Sequence, residues 1–201
     1  MGRGRLETFS DGVFAVAITL LALNLAVRGP GHGHLGHQLT HAWPSWVAYA
    51  ISFFTIAIIW TNHHALFLMI DRVDRMLVYI NFVLLFFVVA IPFATGNMAT
   101  YLQSGGRDAR LATAVYCGVI EGMGLASAAL LLWAMRKGYM RVSALPAHRR
   151  RAALRFAAGS IAYIVAIGVA FASPVSAVVI SGLVAAYYMF DQTPSDNTVH
   201  E

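Results

Sequence analysis

An apolar run of about 20 residues leaves a chain few choices: at 1.5 Å of rise per residue it matches the hydrocarbon thickness of a bilayer. This chain carries six such runs, at roughly 9–27, 44–69, 76–101, 110–135, 153–171 and 174–190. With 59% hydrophobic and only 11% charged residues among 201, it has too little charge to cover a soluble globule. The sequence is therefore read as an all-α integral membrane protein with six transmembrane helices. Residues 1–190 form one membrane domain, and the polar, turn-rich segment 191–201 reads as a disordered cytoplasmic tail.

The fifth and sixth runs are separated only by Ala172, Ser173 and Pro174, which demands a tight helical hairpin. The first run has no small-residue cleavage site and leads into a loop, so it reads as a retained helix and not a secretory signal. Orientation follows from the basic residues. A cytoplasmic N-terminus puts eleven Lys and Arg on the inner side and three (Arg28, Arg107 and Arg110) on the outer, so both termini are expected to be cytoplasmic. The net charge of +5 then calls for no nucleic acid, and the "AHRRR" cluster at 147–151 reads as an anchor to anionic lipid. Cys117, the single cysteine, lies in an apolar run and reads as a small core residue.

Polar groups inside a membrane are costly, about 2.5–3.5 kcal/mol for a charge on insertion scales, so each asks for a reason. The first run opens as "RLETFSDGVFAVAITLLALNL", residues 5–25, with Arg5, Glu7, Ser10 and Asp11 in its first turns and Thr19 and Asn24 further on. At about 100° per residue, Gly12, Val16, Thr19, Leu20, Leu23 and Val27 fall on one stripe, and Asp11 sits about 140° around from Val16. One face thus carries a carboxylate that is tolerable only when paired, with His63, His64 and Asn81 as candidate partners. The other is an apolar ribbon with one hydroxyl, a pattern that by itself fits packing or lipid contact.

"RLETFSD" places Arg5, Phe9, Ser10 and Asp11 in an Arg-x-x-x-Phe-Ser-Asp motif, and resembles the signature of the transmembrane protein 175 family of potassium channels. The resemblance extends through "IIWTNHHALF" at 58–67 and "DRVDRMLVYINFVLLFFVVAIPFAT" at 71–95, while the last three helices are generic. It implies six spans per repeat and, for a single-repeat chain such as this, a homotetramer in the plasma (inner) membrane of a bacterium, with helix one lining a central pore. The implied pore residues are Gly12, Val16, Thr19, Leu20 and Leu23. Arg5, Phe9, Ser10 and Asp11 would hold that helix in register through Trp60, His63, His64 and Asn81. Position 16 is Val where relatives tend to carry Ile or Leu, so the narrowest ring could be wider or lie at Leu20 or Leu23. The chain has no Thr-Val-Gly-Tyr-Gly loop, so the implied filter and gate are rings of apolar side chains and one Thr, passing potassium ions that shed part of their water.

Two other readings compete. "HGHLGHQLTH" presents His32, His34, His37 and His41, which suit a metal ion; the loop has no carboxylate and no fixed spacing, and no metal site is expected. Glu121, beside Gly118-x-x-x-Gly122, could join Asp11 and His63 as the relay of a proton-coupled secondary transporter, the histidine loop being what would suggest a metal-ion transporter instead, or Glu121 could serve only at a helix contact. No nucleophile-base set, phosphate loop or cofactor fingerprint is present; the chain reads as a non-enzyme without cofactors whose partners are potassium ions, lipid and its own copies.

Overall fold

The computed structural model describes residues 2–25, 29–30, 32–140 and 146–191, with the side chains of 146–156 and 191 excepted. The predicted tail beyond 191, the side chains of "AHRRR", and residues 26–28 at the end of the first predicted span lie outside the described residues.

Among the described residues seven α-helices follow in order: α1 (Arg3–Leu21), α2 (Leu35–His41), α3 (Trp43–Met69), α4 (Arg75–Leu102), α5 (Gly106–Arg136), α6 (Pro146–Ala172) and α7 (Pro174–Asp191). Four segments among the described residues are long and apolar enough to cross a membrane: Arg3–Leu25, Trp43–Met69, Arg75–Leu102 and Gly106–Arg136. Ala157–Ala172 and Pro174–Phe190 are apolar but shorter. The first helix begins six residues before the apolar run, because Arg3 and Glu7 stand one turn apart and pair across the helix surface at 3.8 Å. Its far end tightens into a 3₁₀ turn at Ala22–Leu25. α2 is a single short helix within the histidine loop, which the sequence reading leaves unstructured.

α4 is the central element, packed along α5 and also against α1 and α3; α6 and α7 lie on α5, and α7 returns to α3. Its apolar positions face inward as Leu84, Leu85, Val88, Ile91, Ala94 and Met98, joined by Phe14, Ala17, Leu21 and Ile56 in the main core. A smaller cluster of Leu6, Phe67, Ile70, Leu77, Leu130 and Ala134 closes the end of the bundle that carries Arg3. Asp74 caps α4 by accepting from the Leu77 amide at 2.8 Å, satisfying one of the free N–H groups of its first turn. Pro92 sits inside α4 without breaking it, and its carbonyl also accepts from Asn24 Nδ2 at 3.0 Å. Gly96 is what admits that amide: a Cβ there would meet Asn24 Oδ1 at 2.6 Å.

Close approach explains another glycine. A Cβ at Gly122 would strike the Phe87 ring, so α4 and α5 approach through the bare backbone at Gly122, whereas a Cβ at Gly118, the other member of the sequence pair, would meet nothing. The α6–α7 hairpin turns on Ser173 alone, whose Oγ accepts from the Ser176 amide and so caps α7. The expected tight turn is therefore one residue long.

Candidate functional site

α1 divides into two faces. Leu6, Ser10, Phe14, Ala17 and Leu21 are buried against α3 and α4, repeating every three or four residues as a helix requires. Gly12, Val16, Thr19, Leu20 and Leu23 lie on the exposed side; Val16 is 55% and Leu23 72% exposed, so none of the described residues covers them. A Cβ at Gly12 would meet nothing, so its smallness serves no packing within the subunit. The Thr19 hydroxyl donates to the Val16 carbonyl at 2.8 Å, which engages its proton and leaves oxygen lone pairs directed away from the helix.

The buried face is tied by a chain of hydrogen bonds across three helices. Ser10 Oγ donates to the Leu6 carbonyl at 2.9 Å and accepts from Asn81 Nδ2 of α4 at 3.0 Å. With its amide nitrogen committed to Ser10, Asn81 presents Oδ1 to His63 Nε2 of α3 at 2.8 Å. His63 Nε2 therefore donates to Asn81 Oδ1, and Nδ1 is buried without a partner among the described residues. Ser10, Asn81 and His63 are all buried, and the His63 ring stacks on Phe67 at 4.4 Å between centroids.

Asp11 does not join this chain. Instead Trp60 Nε1 donates to Asp11 Oδ1 at 2.9 Å, because Asp11 lies one residue, about 100°, around the helix from Ser10 and so faces α3 at its rim. Trp60 in turn stacks on His64, and His64 Nδ1 lies 3.2 Å from Glu7 Oε1 at an angle that makes no hydrogen bond. Phe9, half exposed, meets the edge of Phe82 on α4. Arg5 is exposed and takes no part in these contacts; the arginine that fastens the helix is Arg3, which donates to the Ile70 carbonyl at 3.1 Å. The sequence reading omits Arg3 and Glu7 from the network, although their spacing of four residues on one helix was the available signal.

At the same end, Asp74 accepts from both Trp133 Nε1, at 3.1 Å, and the Tyr139 hydroxyl, at 3.2 Å. Burial pushes its carboxyl upward, but the hydrogen bonds from Leu77, Trp133 and Tyr139 and the charge of Lys137 outweigh it and hold Asp74 below the ordinary carboxylate value. Burial and the adjacent Asp74 raise the Tyr139 phenol. Deeper in the bundle, Ser52 links to Thr95 at 2.8 Å and to Tyr116 at 3.1 Å, a buried tie between α3, α4 and α5 that the sequence reading did not single out.

In the histidine loop, the rings of His37 and His41 lie 5.8 Å apart, and among the described residues no group of three His, Cys, Asp or Glu side chains comes together to hold a metal ion.

Comparison with known proteins adds independent information. The family described as the endosomal/lysosomal potassium channel TMEM175 matches residues 5–92, the segment holding most of α1, all of α2 and α3 and most of α4. A potassium channel of Streptomyces collinus is 44% identical over 195 residues, covering 95% of this chain and 93% of that one. A potassium channel of Chamaesiphon minutus is 43% identical over 121 residues, 58% of each chain. The crystal structure of a lysosomal potassium-selective channel TMEM175 homolog from Chamaesiphon minutus superposes with a TM-score of 0.81 at 34% identity, covering 94% of this chain and 97% of that one.

Proposed function

Because the chain belongs to the TMEM175 family of potassium channels, we propose that it conducts potassium through a pore built from α1 of four identical subunits. The family is one of channels and not enzymes, and its apolar helices place it in a membrane. In the proposed assembly all six long helices cross the bilayer, the short α2 stays outside, both termini are cytoplasmic and the membrane is the bacterial plasma membrane.

The observation that carries this reading is the asymmetry of α1. Its polar groups, Ser10 and Asp11, are spent on α3 and α4, while Gly12, Val16, Thr19, Leu20 and Leu23 face away from the subunit with no partner in it. Four such faces around an axis enclose a path whose walls are rings of Val and Leu. These rings offer an ion nothing to bind, so an ion crosses by shedding part of its water, and potassium, which holds water less tightly than sodium, crosses more easily. The Thr19 ring supplies four oxygens whose protons are already engaged by the helix, as an ion losing water needs. The same apolar rings close the path when they dewet. Ser10, Asp11, Trp60, His63 and Asn81, with Phe9 and His64 at the rim, keep α1 in register so that its rings align; Arg5 lies near the cytoplasmic mouth.

Purified protein in liposomes is expected to pass potassium faster than sodium. Leu23→Asn and Val16→Asn are expected to raise the flux and erode the preference. Unchanged flux in both variants would show that α1 does not line the path.

A further inference from the structure

α3 and α5 form no packed seam, and between them, closed by α6 and α7, lies a cavity of about 470 Å³. Its walls are mostly apolar, including Ile59, Leu84, Ile120 and Val184. Glu121, at the middle of α5, lines it with only 7% of its surface exposed. Ser160 of α6 hydrogen-bonds the carboxyl, yet Glu121 Oε1 is buried with no partner. His63 lines the same cavity, and its Nδ1 is likewise buried and unpartnered among the described residues. Two buried polar atoms without hydrogen-bond partners, one of them on a carboxyl group, are a costly arrangement that a bound polar ligand would relieve.

We infer that this cavity is a binding site for a compact lipophilic amine, its ammonium on Glu121 and its hydrocarbon body among the apolar walls. The volume falls in the range of small-molecule pockets, about 300–1,000 Å³. A carboxyl oxygen and an imidazole nitrogen, both unpartnered, suit an amine, and among the described residues Glu121 is the one acidic side chain on the wall. Entry needs no charge to cross the bilayer. A neutral amine arrives through the hydrocarbon and its nitrogen lone pair takes the carboxyl proton of Glu121, leaving an ammonium and a carboxylate side by side. Charge and protons balance within the pair. A long-chain lipid suits the site poorly, since its polar head would have to leave the membrane surface to reach the mid-membrane position of Glu121.

Three probes share one hydrocarbon cage: 1-aminoadamantane, 1-adamantanol and adamantane-1-carboxylate. Titration calorimetry on the purified full chain in detergent, with empty micelles subtracted, is expected to show saturable binding of the amine to each subunit. The alcohol should bind about tenfold more weakly and the carboxylate not measurably, the margin of a charge-assisted hydrogen bond over a neutral one. Glu121→Gln, which keeps the shape, should weaken the amine about tenfold and leave the alcohol unchanged. Gly124→Leu should abolish binding of both, because Gly124 lines the cavity and a side chain there meets open space and not a neighbour. Equal affinities for all three probes would mean an apolar hollow that takes any hydrocarbon, a lipid chain included, and would overturn the inference. Amine binding that survives Gly124→Leu would place it elsewhere, with the same result. None of these measurements depends on ion flux, so they stand or fall separately from the channel reading, and the comparison of probes on the unaltered chain needs no variant to fold.

Discussion

Replacing Asn81 by Leu tests the tie between α1 and the rest of the subunit, since the two side chains are close in volume and only the amide is lost. Two bonds go. His63 Nε2 loses its acceptor at 2.8 Å, and an unpaired buried donor costs about 1–3 kcal/mol. Ser10 loses the donor at 3.0 Å but keeps its own proton on the Leu6 carbonyl, so this second loss is nearer 0.6 kcal/mol, roughly the average for an interhelical hydrogen bond in a membrane. The sum is about 1.6–3.6 kcal/mol. For a chain of this length about 2–4 °C accompanies each kcal/mol, so the melting point read from tryptophan fluorescence in detergent should fall by about 3–14 °C. Ser10→Ala alone should cost about 1 kcal/mol by stranding the Asn81 amide nitrogen, and adding it to Asn81→Leu should cost almost nothing more, because the bond it would break is already gone. If Asn81→Leu melts with the wild type, or if the two losses simply add, the Ser10–Asn81–His63 chain does not hold α1 in place.

Gly122→Ala should destabilise the protein by about 1–3 kcal/mol through collision with Phe87, and Phe87→Leu should recover part of that loss in the same melting assay. The depressed Asp74 carboxyl makes its contribution to stability above its unfolded-state value and loses it as pH falls through its lower folded-state value; Asp74→Asn should therefore lower stability near neutral pH and flatten the acid limb of a stability-versus-pH curve. Thr19→Val should leave the melting point nearly unchanged, since Thr19 is exposed and bonds only within its own helix, while lowering potassium flux into liposomes severalfold; flux that is unaltered would exclude the hydroxyl ring as a stand-in for water.

Which residues of α1 reach the surface of the subunit is readable from spacing alone. A rotation of about 100° per residue separates Ser10, Phe14 and Ala17 from Val16, Leu20 and Leu23 whatever the neighbours are. The start of α1 is not readable in the same way, because apolar periodicity is silent over Arg3–Glu7, where an ion pair and a contact to the Ile70 carbonyl hold the first turn. Partner choice is the least legible. Asp11 meets Trp60 and not His63, His64 or Asn81, and Ser10 takes Asn81 instead, because the relative height and rotation of three helices decide between neighbours one residue apart. Glu121 illustrates the same limit: its isolation in an apolar run is plain, but the hollow it faces exists only because α3 and α5 diverge.

The change of winding at Ala22 bears on the shape of any conduit made from copies of α1. In a 3₁₀ turn, side chains three apart eclipse one another, whereas in an α-helix they are offset by about 60°. Tightening beyond Leu21 therefore swings Leu23 back toward the column above Leu20 instead of letting it drift sideways. Successive collars at the outer end would then stand nearly in line, a straight greasy sleeve in place of a spiral. Uncoiling that last turn would stagger the collars without moving the rest of the helix, a small motion with a direct effect on the bore.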